Sequence, residues 1–201
     1  VRSRGLGDVY KRQILRHDPD KILIGEIRDR ETAEIAVQSA LTGHLVLSSI
    51  HANSGFDVIS RFLNMGVEAN SLLPAINCIV SQRLVRKICE QCKEKITPTQ
   101  SEISLAGLFE KDIKDNYFYH GSGCSACDNT GYSGREAIHE VLYFNDDLKE
   151  LLLERRRNSD IKSAARQLGM QNLREAALAK VFRGITTLHE FNRVTYTEQI
   201  G

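Results

Sequence analysis

Six side chains in this sequence could do chemistry by type and spacing: Glu26, His51 and the four cysteines 89, 92, 124 and 127. Glu26 follows a short apolar run, Ile22-Leu23-Ile24, closed by Gly25. A carboxylate delivered by an apolar strand to the edge of a sheet can hold a divalent cation or a water beside phosphates. His51 follows a second apolar run, Leu45-Val46-Leu47, and is the polar group at its end. The cysteines form two C-x-x-C pairs, Cys89/Cys92 and Cys124/Cys127. Paired knuckles suit a tetrahedral Zn²⁺ ion closed by four thiolates. The competing readings are a core strand with a surface glutamate, and a redox pair or four buried thiols.

The elements that must position these groups are legible in the pattern. Asp18-Pro19-Asp20 opens the first strand, and Lys21 to Ile24 reads as a buried parallel strand. Asp29 is a good N-cap. Ala33, Ala36, Val37, Ala40 and Leu41 then recur at helical spacing, and Gly43 ends the helix. This strand–helix–strand unit has the length of a crossover connection, which places Glu26 and His51 at the same edge of one sheet.

With these residues in view, the chain resembles the secretion ATPase superfamily, which powers type II secretion and type IV pilus assembly. Asp18 to Asp29 is similar to its Walker B box, and Leu41-Thr42-Gly43-His44 through His51-Ala52-Asn53 to its histidine box. The resemblance runs from about Ile14 to Thr195. It implies an α/β fold, the C-terminal part of a RecA-like P-loop NTPase domain, with a tetracysteine zinc-binding insert and a C-terminal helical bundle. It implies ATP, Mg²⁺ and Zn²⁺ as cofactors. Glu26 would serve the Mg²⁺ and water site, and His51 would contact the terminal phosphate. Gly25, Arg28 and His44 would lie at the nucleotide, and Arg83 and Arg86, in Gln82-Arg83-Leu84-Val85-Arg86, at the nucleotide or the ring interface. The bland reading of both arginines is a solvated helix end. The implied partners are five further copies in a homo-hexamer and an inner-membrane platform protein, at a cytoplasmic site peripheral to that membrane.

No G-x-x-x-x-G-K-[ST] loop occurs in the sequence, so the phosphate cradle must be supplied from elsewhere. The expectation is a C-terminal fragment that alone neither binds ATP tightly nor hydrolyses it, its general base belonging to the missing half. Residues 1–13 depart from the family and read as a foreign segment. The expected divisions are 14–86 for the ATPase part, 87–137 for the tetracysteine element and 138–201 for a helical subdomain.

The insert between the knuckles spans 31 residues. Its extra closure cost, about 0.5 kcal/mol, is small beside the ~10 kcal/mol that a structural zinc site supplies. The tetracysteine element also separates the secretion and pilus-extension ATPases from the retraction ATPases, which lack it. Asn129 to Arg135 and Ile138-His139-Glu140 resemble the family's sequence after the second knuckle, with Ala137 where glycine is commoner. Gly131 and Gly134 read as turn residues. His139 beside Glu140 could mimic a catalytic pair, though a structural role is the expectation.

Elsewhere Ser54 caps a helix, and Val67 to Ile79 reads as a second one containing Pro74, with Cys78 as a small core residue. Leu105, Leu108 and Phe109 read as an apolar cluster in the insert. The tail reads as helices capped by Asp146, by Ser159, by the Asn172/Glu175 box and by the Thr187/Glu190 box. The 41% apolar and 26% charged content is that of a globular protein. A net charge of +1 gives no reason to expect nucleic acid. The alternative to an ATPase is a zinc-ribbon binding module with a helical bundle and no hydrolysis.

Overall fold

The computed structural model describes residues 19–195 except 53 and 115. Segment 1–13 and the motif residues Asp18 and Asn53 therefore lie outside the described residues. The chain divides into two compact units, one formed by the chain up to Ile79 with Leu142–Gly169, the other by Val80–Val141 with the chain from Met170 on.

In the first unit, β1 (Lys21–Ile24), α1 (Arg30–Leu41) and β2 (Leu45–Ser48) form the expected crossover. The strands are parallel, with Lys21 opposite Leu45 and Leu23 opposite Leu47. Asp29 caps α1 through the Thr32 N–H, and Gly43 adopts φ 99° just past its end. Ala33, Ala36 and Val37 are buried and Ile22 packs beneath the sheet, whereas Leu23 and Leu47 are 78% and 52% exposed. Ser54 and Asp57 form a full capping box at the start of α2 (Gly55–Asn64).

The next segment differs from the expected helix over Val67–Ile79. Helix α3 is only Ala69–Ala75, and β3 (Cys78–Ile88) begins three residues later. Pro74 has no N–H for the Asn70 carbonyl and its ring crowds that oxygen, which weakens this short helix, and the chain turns extended at Ile76. Cys78 is exposed at the start of a strand, and it is not a core residue. Arg83 and Arg86 lie on β3 rather than at a helix end. The unit is completed by α6 (Asp146–Leu153) and α7 (Asn158–Gln167), with α3 packed on α1 and α6. The cap of α6 is Asn145, not Asp146, and no side chain caps α7. Leu72 and Leu148 are fully buried here, each contributing about 2 kcal/mol.

In the second unit, β3 pairs with β6 (Tyr132–Tyr143), so residues 138–143 are strand and the helical tail starts only at Asp146. The hairpin of β4 (Lys93–Ile96) and β5 (Phe118–Gly121) is antiparallel. The insert between them carries α4 (Gln100–Leu105), with a Thr99/Glu102 capping box, and α5 (Glu110–Lys114). Its buried residues are Pro98, Ile103 and Ala106; Leu105 and Phe109, expected in an apolar cluster, face solvent. Helices α8 (Leu173–Phe182) and α9 (Leu188–Thr195) close the unit. Val85, Phe118, Ile138, Leu173, Val181 and Phe191 make its core. Phe118 meets Phe182 edge-to-face at 5.9 Å, a favoured aromatic geometry. The Asn172/Glu175 capping box is present.

Candidate functional site

Two sites can be built from the described residues. The first lies where β1 and β2 end. Ile27 N–H donates to the Ser49 carbonyl at 2.9 Å, and Ser49 Oγ donates to the Gly25 carbonyl at 2.6 Å. These two bonds extend the parallel pairing past the strands and stitch the loops that carry Glu26 and His51. Ser49 was not singled out in the sequence, where a serine after a strand carries no distinguishing signal.

His51 Nε2 comes within 2.9 Å of Glu26 Oε1. Arg28 donates from Nε to Glu26 Oε2 at 2.5 Å and pairs through Nη2 as well. That hydrogen bond holds the Glu26 carboxyl below its usual range, against some burial, with lesser help from the charges of Arg28, His51 and Arg61. Arg61, on the last turn of α2, is a cation of this site that the sequence did not announce. A Cβ on Gly25 would meet nothing within 4 Å, so the space beside it is open.

Glu26 Oε1 is buried and takes no aligned hydrogen bond among the described residues. A carboxylate oxygen in that state fits a hard cation or its bound water. The donor set is thus compatible with Mg²⁺.

His44 is not part of this cluster. It precedes β2, at the opposite end from His51, with Nδ1 3.0 Å from the Ser39 carbonyl and 3.1 Å from Thr42 Oγ at the end of α1.

Arg83 and Arg86 belong to the second unit. Arg83 Nη1 donates to the Val194 carbonyl at 2.6 Å. Arg86 donates from Nε and Nη2 to Glu190 Oε2 at 3.0 and 2.8 Å, and its N–H donates to Oε1 at 3.0 Å. Its guanidinium lies 4.0 Å from the centre of the Tyr132 ring. Arg193 also grips Glu190, at 2.7 and 2.8 Å. Glu190 is fully buried. Burial works against its charge, but the hydrogen bonds from Arg193 and Arg86 override it and bring the carboxyl down to about 2. Thr187 caps α9 through the Glu190 N–H, as expected, while the Glu190 side chain is engaged with the arginines. Glu140, on β6, is buried and accepts from the Leu173 N–H at 3.4 Å, whereas His139 is exposed.

The second site is the cysteine quartet. The four sulfurs lie within 4.8 Å of one another. Cys89–Cys124, Cys92–Cys127 and Cys124–Cys127 are separated by 3.9, 3.8 and 3.8 Å. Zn–S bonds of about 2.3 Å in a tetrahedron set sulfur separations of about 3.8 Å. Backbone N–H groups of Gly123, Cys124 and Gly131 point at the Cys92 and Cys127 sulfurs, each at 3.3 Å. Burial pushes the Cys92 thiol up to about 12. Burial also opposes charge on Cys127, yet the N–H groups of Cys124 and Gly131 and the neighbouring thiols bring it to about 6. A bound cation would favour the thiolate at all four. The turn closing the quartet is tight: Gly131 has φ 74°, and a Cβ on Gly121 would lie 2.1 Å from the Gly131 carbonyl. The set fits Zn²⁺.

The comparisons agree with this architecture. Over 179 residues the chain is 45% identical to the type IV pilus assembly ATPase PilB of Thermus thermophilus, covering 89% of this chain and 20% of that protein. It is 41% identical over 196 residues to type II secretion system protein E of Pseudomonas aeruginosa, covering 98% and 38%. The solved pilus retraction motor PilT with bound ADP superposes with a TM-score of 0.61 at 24% identity, covering 91% of this chain and 41% of that one. The Legionella pneumophila ATPase DotB gives 0.62 at 22%, covering 93% and 41%. The chain thus spans well under half of each of these relatives. The profile of the type II/IV secretion system protein family matches residues 9–193. The chain belongs to the type II/IV secretion system protein family.

Proposed function

We propose that this chain supplies the C-terminal part of a hexameric ATPase that drives type II secretion or type IV pilus assembly. The observation that carries the reading is the approach of Glu26 and His51 at 2.9 Å from the ends of two parallel strands. Ligands in such sheets sit beyond the carboxyl ends of the strands. Mg²⁺ bound with ATP supplies charge neutralisation at the phosphates. Glu26 would hold its water through Oε1, Arg28 would keep that carboxyl ionised, and His51 would touch the terminal phosphate. Gly25 leaves room for the nucleotide. The four cysteines would hold one structural Zn²⁺. The loop that cradles the phosphates is absent from these 201 residues, so the chain alone neither binds ATP tightly nor hydrolyses it.

Relatives named for pilus assembly and for type II secretion match at similar identity, so the reading covers both machines. The remaining assignments are a homo-hexamer, a platform protein in the inner membrane as partner, and a place on its cytoplasmic side. Among the described residues no helix is long and apolar enough to cross a membrane.

The test is Glu26→Gln in the full-length protein. Turnover is lost while a labelled ATP analogue still binds. Retained turnover, or loss of binding, overturns the assignment.

A further inference from the structure

The cysteine quartet and the buried Glu190 adjoin the same two strand ends. On β3, Ile88 N–H donates to the Ile185 carbonyl at 2.9 Å, and the next residue is the ligand Cys89. Two residues before Ile88, the N–H and guanidinium of Arg86 all close on Glu190. Thr186 Oγ donates to the Arg86 carbonyl at 2.8 Å. On the facing strand, the Gly131 carbonyl accepts from Cys89 N–H at 3.0 Å, and its own N–H points at Cys127 Sγ. Tyr132 follows directly. Its ring lies against Arg86 and its hydroxyl is 2.8 Å from Thr187 Oγ. Cross-links from both strands thus converge on the entry of α9 beside the metal ligands.

Helix α8 packs on α9, with the Arg174 guanidinium over the Phe191 ring and Leu173, Ala177 and Val181 in one core with Leu188, Phe191 and Val194, but it also has a second attachment. It is fastened further along β6, where Glu140 accepts from the Leu173 N–H and Glu136 pairs with Lys180. Neither of these two β6 contacts is made by a cysteine of the quartet.

We propose that the quartet and Glu190 form one latch, in which metal loading fixes the end of β3 against the start of β6 and so docks α9. This rests on the reading of the quartet as a zinc site. Four thiolates on one ion hold Cys89 beside Gly131, and that spacing lets Arg86 stack on Tyr132 while still reaching Glu190. Without the ion the knuckles separate and Glu190 keeps at most one of its two arginines. A buried carboxylate with incomplete pairing is costly, so α9 detaches. Arg83 loses its bond to the Val194 carbonyl at the far end of α9. Glu190 is therefore a positioning residue for Arg86 on β3.

The test is hydrogen exchange on the full-length protein, after zinc content is measured. Chelation is expected to speed exchange about tenfold or more over Leu188–Thr195 and at Arg86 and Ile88, and clearly less over Leu173–Phe182, which keeps its bonds to β6. Glu190→Gln should loosen the same amides with zinc still bound at one per chain. Unchanged protection of α9 after chelation overturns the latch. So does equal loss of protection in α8, which would make metal loss a general unfolding. Finding no zinc at all in the protein overturns the zinc reading and the latch with it, whereas normal zinc with an unresponsive α9 removes the latch alone.

Discussion

Glu26 Oε1 and His51 Nε2 stand 2.9 Å apart, at the ends of strands held parallel by α1. Neither residue reaches the other through local turn geometry. Their meeting is a product of strand register, extended by the Ser49 bonds to Gly25 and Ile27. The pair is exposed on the histidine side and screened on the carboxylate side, the polarity expected where a ligand enters from solvent.

His51→Ala in the full-length protein should lower kcat for ATP by about 10²- to 10³-fold, the size of one lost electrostatic contact to the transition state. KM should change much less, because the contact strengthens as charge develops on the phosphate. Steady-state hydrolysis assays separate the two constants.

Cys124→Ser should reduce zinc from one ion per chain to none by elemental analysis. The other three thiols then become reactive toward a thiol reagent, because they no longer share a cation. A lowered thermal midpoint accompanies the loss.

Glu190 makes stability depend on acid. Its carboxyl sits at about 2 in the fold against 4.5 unpaired. The unfolded chain therefore takes up the proton first as pH falls. The stabilisation is whole above pH 4.5 and is lost on acidification toward pH 2, amounting to about 3 kcal/mol. Urea midpoints at neutral pH and near pH 3 should show the loss, and Glu190→Gln should flatten it.

Gly121→Ala should destabilise the tetracysteine element by about 2 kcal/mol or more, since the new Cβ would overlap backbone that has no room to move. Gly134→Ala meets no neighbour within 4 Å and should cost only the strain of its positive φ, about 1 kcal/mol. Denaturant titration of the two variants compares packing with conformation directly.

The parts legible in the sequence were those set by local chemistry. Asp29, Ser54 and Asn172 announce helix starts because a cap needs only a side chain within reach of its own backbone. The crossover was legible because apolar runs of strand length flank a helical repeat. The cysteine spacing was legible because each knuckle is local. What failed depended on distant partners. Ser81 to Arg86 is built of residues that suit a helix, with Leu84 and Val85 adjacent rather than alternating, yet pairing with β6 makes it strand. Glu190 looked like one half of a capping box, and nothing near it in sequence discloses Arg86. Cys78 sat in an apolar stretch and so looked like core, but it falls on the exposed side of its strand.

Leu23 and Leu47 lie opposite each other on β1 and β2, both more exposed than buried. Two leucines side by side on a paired strand make an adhesive strip, and such strips join molecules as readily as they join elements. Concentrated solutions of these 201 residues should scatter light well before the protein unfolds. Threonine at both positions keeps the strand preference, removes the grease, and should raise the concentration at which turbidity begins.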